Sequence, residues 1–196
     1  MVAARGLPGW PLELVMLETL WGLALIFLML SSTVDILAGV AMQSGVGVAR
    51  VFNWPVLARS PRDLWSKRWN LYVHALAYRN VFLPLRGVHH PTRATIAIFG
   101  LSGLCHEYML WVAHGGPGPY PGWVFAFFLC QGLGVLVDSG WQRFVRRRYR
   151  KGGRWRKFVL PAPLAVALHL CWLVMTGPLF LIPLDTVLGF SSWTLF

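Results

Sequence analysis

"RATIAIFGLSGLCHEYMLWVAH" runs from Arg93 to His114. At about 20 residues per crossing it is long enough to span a bilayer as a single helix. Within it, His106 and Glu107 stand side by side in what is otherwise hydrocarbon. Each ionisable side chain costs about 2 to 3 kcal/mol or more at a bilayer centre, and such groups face a bundle interior or a water-filled cavity. The stretch therefore reads as a membrane helix that carries a site. Ser102, one turn earlier, shares a face with His106. Glu107 points about 100° away round the helix, so the two need not enter one cavity.

The rest of the chain agrees with a membrane setting. Of its 196 residues 56% are hydrophobic and only 13% charged, whereas ordinary soluble domains are about 25% charged. Eleven Trp and twelve Phe supply the rings that anchor helices at membrane interfaces. The expected fold is an all-α, polytopic bundle of about four or five spans plus an interfacial helical segment, forming one domain. "LWGLALIFLMLSSTV" (Leu20–Val34), extendable backward toward Pro11, is one span; after Asp35, "ILAGVAMQSGVGVA" is short for a second one and reads as a tilted span or, less favoured, a re-entrant piece. "WVFAFFLCQGLGVLVDSGW" (Trp123–Trp141) and the proline-broken "FVLPAPLAVALHLCWLVMTGPLFLIPL" (Phe158–Leu184) follow. No small-residue cleavage pattern marks a signal peptide.

The basic residues behind the net charge of +11 lie in two loops, with only Arg5 outside them. Nine of eighteen basic residues lie between Arg143 and Lys157 and eight between Arg50 and Arg93, which is what positive-inside topology produces. A nucleic-acid role is not expected, because base-reading and stacking apparatus is missing. Anionic headgroups or a phosphorylated substrate suit these loops better. Both are expected to be cytoplasmic, with the uncharged "GGPGPYPG" (Gly115–Gly122) facing outward. The membrane would be the plasma membrane in a bacterium and the endoplasmic reticulum in a eukaryote. Cys105, Cys130 and Cys171 are isolated, and no spacing suggests a metal site.

The region Arg50–Arg93 has no run long enough to cross. Ser60, Pro61 and Asp63 mark a helix start, and the residues beyond alternate aromatic and basic side chains along an interfacial, partly amphipathic segment. Asn70 has an amide that both donates and accepts; it is either a functional group or a helix-capping or interhelical amide. His74 shares its face if the segment is helical. His106 is likewise either functional or a packing residue bonded to a carbonyl. His89 and His90 read as a solvated pair, Asp138 as a headgroup-level or Arg-paired carboxylate, and His169 as packing.

"FNWPVLARSPRDLWSKRWN" (Phe52–Asn70), then "VFLPLR", "FGLSGLCHEY" and the late "TGPLFLIPLD", together resemble the wax synthase branch of the membrane-bound O-acyltransferases. The ordered match runs from about Glu18 to Leu184. The resemblance implies that His106 and Asn70, 36 residues apart, are the catalytic pair. It implies transfer of a fatty acyl group from acyl-CoA, a co-substrate rather than a cofactor, to a long-chain alcohol, giving a wax ester. A non-catalytic lipid-binding or scaffolding protein, or the same chemistry on a sterol, glyceride or secondary-metabolite hydroxyl, are the alternatives. Histidine suits the base because its ordinary pKa lies near ambient pH. Asn70 would orient the histidine or substrate, or donate to the oxyanion. Arg59, Arg62, Lys67 and Arg68 are candidate contacts for CoA phosphates, and Trp65 or Trp69 for the adenine or acyl entrance; lipid headgroups are the competing ligand. The family carries more N-terminal spans than this chain holds, which suggests a compact form, a fragment, or a homo-oligomer or partner that completes the acyl tunnel.

Overall fold

The computed structural model describes residues 12–45, 47, 50–150 and 160–189. Among them there are helices and no strands. The long elements are α1 (Leu12–Gln43), α4 (Pro91–His114), α5 (Trp123–Arg150), α6 (Ala162–Thr176) and α7 (Pro178–Leu188). Between α1 and α4 lie a 3₁₀ turn (Pro55–Leu57), α2 (Pro61–Lys67), α3 (Leu71–Ala77) and a π-helical turn (Tyr78–Phe82). Met16–Gln43, Pro91–His114 and Trp123–Arg148 are each long and apolar enough to cross a membrane. The bent pair α6–α7 makes a fourth span if counted as one. The chain is an all-α integral membrane protein, and its described residues hold three such helices, or four with the bent pair, against the four or five spans expected.

Two expectations need correction. The second span after Asp35 does not exist, because α1 runs through it unbroken for 32 residues. No proline interrupts Leu12–Gln43, and the Asp35 carboxylate accepts from the Ser31 hydroxyl one turn back at 3.4 Å, so a single charge is carried without a break. The helix ends where Ser44 and Gly45 turn, with Gly45 at φ +78°. The stretch Phe158–Leu184, whose first two residues lie outside the described ones, is two helices meeting at 54°. Gly177 and Pro178 set that corner. The proline lacks the amide a continuing helix needs. A Cβ at Gly177 would sit 2.6 Å from Thr19 Cγ2 and 2.7 Å from the Leu173 carbonyl oxygen.

The chain clusters into two compact units, and α4, α5 and α6 each contribute to both. The first comprises Met1–Ala49, Ser102–Phe128 and Leu173–Phe196. There α7 packs on α1 at Gly22, where a Cβ would come within 3.1 Å of Leu181. The second comprises Arg50–Leu101 and Leu129–Trp172. Its centre is Gln131, fully buried in α5, whose Oε1 accepts from the indole N–H of Trp65 at 3.2 Å and of Trp172 at 3.3 Å. A buried amide oxygen with two donors removes the penalty that either indole would otherwise carry unpaired. Asp138 belongs to this unit and has no arginine partner among the described residues. Its oxygens accept from Ser60 Oγ at 2.6 Å and Gln142 Nε2 at 3.1 Å.

Candidate active site

His106 lies in the first unit, half-buried on α4. Its Nδ1 is 2.7 Å from the backbone carbonyl oxygen of Ser102. It is therefore the Ser102 main chain, one turn back, that holds the ring. A carbonyl oxygen only accepts, so Nδ1 carries the proton in this bond and a neutral ring presents its lone pair at Nε2. Phe128 of α5 stacks at a tilt with a centroid distance of 4.5 Å, and Phe180 of α7 meets the ring edge-on at 6.0 Å. Phe127 closes the aromatic group, 5.1 Å from Phe180. The arrangement is an oriented imidazole in an aromatic wall, with a proton acceptor of fixed direction.

Glu107, next along α4, has a separate engagement: its Oε1 accepts the Phe125 amide at the start of α5, 3.0 Å away. His114, near the end of α4, bridges the Leu110 carbonyl at 2.9 Å and Thr186 Oγ1 of α7 at 2.8 Å. Thr186 in turn donates to the Pro183 carbonyl at 2.6 Å. A cavity of about 280 Å³ opens beside these residues, walled by Glu107, Trp111, His114, Tyr120, Pro183 and Thr186 among others; His106 is not in its wall. The His114–Thr186 link was not foreseen from the sequence, where 72 residues separate the partners. Gln131 was overlooked too, although a lone amide in "FFLCQGLGV" was the available signal.

Asn70 lies in the second unit. The segment Trp65–Phe82 is not one continuous helix: Asn70 separates α2 from α3 and caps α3, its side-chain oxygen accepting from the Val73 amide at 3.2 Å. His74 thus sits one turn into a helix that Asn70 begins. The backbone of Asn70 is left-handed, φ +40°, a conformation asparagine tolerates better than most residues. Both features explain an asparagine here in local terms, while its Nδ2 makes no bond among the described residues.

Most of the basic–aromatic motif is tied together internally. Arg68 Nε meets Asp63 Oδ2 at 2.8 Å, and its Nη1 donates to the carbonyls of Asn53 and Trp54. The Asn53 amide donates to the Arg68 carbonyl at 2.9 Å, and the Leu71 amide to that of Val51 at 2.9 Å. "FNWP" and "RWN" are thereby stapled to each other. Burial works to raise the Asp63 carboxyl, but the Arg68 hydrogen bond, the Arg59 amide and the charges of Arg68 and Lys67 prevail and hold it below its ordinary 3.8. Trp65 packs edge-on against Phe99 and Trp69, and Trp69 against Phe52. Arg62 Nη1 donates to Gln142 at 3.0 Å. Arg59 and Lys67 are exposed, with no side-chain bond among the described residues. His89 and His90 are exposed, as expected; His169 is 3% exposed, and neither ring nitrogen has a partner among the described residues.

Residues 48–130 match the family described as the membrane bound O-acyl transferase family. Over this stretch the chain resembles the membrane-bound O-acyltransferases. The match takes in both Asn70 and His106 and the motifs from "FNWP" to "CHEY", while the late "TGPLFLIPLD" lies beyond it. The chain is similar to three Arabidopsis thaliana proteins. It is 33% identical over 108 residues to probable long-chain-alcohol O-fatty-acyltransferase 1, covering 50% of this chain and 31% of that protein. It is 31% identical over 150 residues to probable long-chain-alcohol O-fatty-acyltransferase 2, covering 71% and 40%. It is 29% identical over 154 residues to acyl-CoA–sterol O-acyltransferase 1, covering 74% and 41%. The chain thus spans well under half the length of these relatives. No solved structure matches it.

Proposed function

We propose that the chain is an acyl-CoA-dependent O-acyltransferase that moves a fatty acyl group to the hydroxyl of a long-chain alcohol, with His106 as general base and Asn70 in support. The observation that carries the reading is the orientation of His106: Nδ1 bonded to the Ser102 carbonyl leaves Nε2 to accept a proton. In the reaction the alcohol oxygen attacks the thioester carbonyl carbon as Nε2 takes the hydroxyl proton. The tetrahedral intermediate then collapses, the carbon–sulfur bond breaks, and the imidazolium returns the proton to the CoA sulfur. Such a base contributes about 10² to 10⁴ in rate. The Nδ2 group of Asn70 supplies an N–H that can steady the oxyanion or a substrate carbonyl. The aromatic wall formed by Phe127, Phe128 and Phe180 suits an apolar acyl chain and keeps water from the thioester.

Acyl-CoA enters on the side of the basic loops, which we place in the cytoplasm on the positive-inside rule. Exposed Arg59 and Lys67 are the best candidates to meet its phosphates, since Arg68 is engaged with Asp63 and two carbonyls. Arg62, Trp65 and Trp69 would border the same approach. A second copy or another chain completing the acyl tunnel is in keeping with the short length.

The test is esterification by the purified chain in lipid vesicles, with labelled acyl-CoA and a panel of long-chain alcohols, sterols and glycerides. Ester formed fastest on the alcohols supports the reading. Faster ester formation on sterol would move the acceptor toward that of the sterol-acylating relative, and binding of acyl chains without any ester would identify a lipid-binding protein instead.

A further inference from the structure

Glu107 is an ionisable group in the membrane span that the acyl-transfer reading leaves without a role. Its partner is a backbone amide at the start of a different helix. Because α5 begins at Trp123, the Phe125 amide is one of the first four, which have no acceptor within their own helix. A carboxylate there satisfies the amide and lies at the positive end of the helix dipole. Glu107 thus does from α4 what a capping side chain does from within a helix.

The same contact sets what lies over His106. Phe128, three residues beyond Phe125, places its ring 4.5 Å from the imidazole. Gly103, one turn before Glu107, makes the close approach possible. A Cβ there would stand 2.9 Å from Phe125 Cδ2, 3.1 Å from Phe125 Cα and 3.3 Å from Phe128 Cβ. The bond at Glu107 and the gap at Gly103 independently fix α5 on α4 at the turn that carries Phe128. We infer that Glu107 is a positioning residue: it anchors the first turn of α5 so that Phe128 confines the imidazole, and it does so without touching substrate. The inference rests on His106 being the base of the proposed acyl transfer. A cap needs an acceptor oxygen and not a charge, which separates this role from that of a carboxylate that shares a proton with or stabilises the imidazolium.

The experiment compares Glu107→Ala, Glu107→Gln, Phe128→Ala and His106→Ala, all in the full chain in lipid vesicles. Glu107→Ala is expected to lower kcat by about 10- to 100-fold, the scale of a misplaced catalytic group, with KM for acyl-CoA nearly unchanged. Glu107→Gln keeps the acceptor oxygen and is expected to stay close to wild type, while Phe128→Ala reproduces the kcat loss. An activity-independent reading is the ring-current shift that Phe128 imposes on the His106 ring protons in NMR spectra. It should vanish in Glu107→Ala and Phe128→Ala and persist in Glu107→Gln. If Glu107→Ala does not fold, Glu107→Gln still decides: loss of activity with the ring-current shift intact would overturn the positioning role in favour of a charge role. Wild-type kcat in Glu107→Ala would overturn it as well. Full activity of His106→Ala would remove the base assignment and this role with it, whereas the NMR shift would still report whether Glu107 seats Phe128.

Discussion

His106 sits in an apolar span and Asn70 in a basic–aromatic segment, and their surroundings differ in what they leave available. Around His106 a single carbonyl orients the ring, and the other contacts are aromatic, so one nitrogen remains directed and uncommitted. Around Asn70 the polar groups are largely bonded to one another: Arg68 to Asp63 and two carbonyls, Trp65 to Gln131, and the Asn70 oxygen to the Val73 amide. A motif rich in polar residues is therefore not by itself a reactive surface. Among the described residues the groups left over include Nε2 of His106 and Nδ2 of Asn70, and the proposed reading assigns the chemistry to them.

The contrast can be broken most sharply at His106. Replacing it with alanine should reduce esterification by about 10² to 10⁴, with acyl-CoA binding measured by equilibrium dialysis retained. Asn70 comes next. Asn70→Asp preserves the capping oxygen and removes the amide N–H. The protein should keep its helix content by circular dichroism and lose about 10² to 10³ in kcat, the loss seen when one oxyanion donor is deleted. Asn70→Ala should lose the cap as well, at about 1 kcal/mol of stability. Full activity in a folded Asn70→Asp would make Asn70 purely structural.

Gln131→Leu probes the internally bonded region. It strands two indole donors at a buried position, so a stability loss of about 1 to 3 kcal/mol is expected in chemical denaturation. Turnover per folded molecule should hardly change. Smaller still is the effect of Arg59→Gln with Lys67→Gln, which should raise KM for acyl-CoA a few-fold, an increase that shrinks at high salt as exposed charges are screened. An unchanged KM would move these residues to a headgroup role.

The smallest effect concerns pH. The Asp63 carboxyl is held below 3.8 in the folded protein. Its ionised form therefore stabilises the stapled motif fully above that value, and the contribution disappears as pH falls through the lower, folded value. Denaturation curves of Asp63→Asn and wild type should converge in strongly acid solution and separate above pH 4; a separation that persists unchanged into acid would refute the role of the Arg68 pair.

Much of this was legible in residues. The span bearing His106 follows from uninterrupted apolar composition, and the Ser60–Pro61–Asp63 start of α2 formed as its cap chemistry requires, with Ser60 Oγ accepting the Asp63 amide at 3.2 Å. A capping role for Asn70 was among the readings its sequence allowed, but its left-handed backbone was not legible, because that conformation goes with the pairing of "FNWP" with "RWN" rather than with local preference. The continuity of α1 through Asp35 was misread for a related reason, since one carboxylate bonded to a serine a turn away does not end a helix. The partners of Glu107, His114 and Gln131 are set by the packing of distant helices, which periodicity does not encode.

The most direct test of the account pairs wild type with His106→Ala in the same vesicles, supplied with labelled long-chain acyl-CoA and a long-chain alcohol, and identifies the product by mass. The account predicts a labelled ester and one free CoA thiol per ester from the wild type, and neither above background from the variant. Equal ester formation by the two proteins would contradict it.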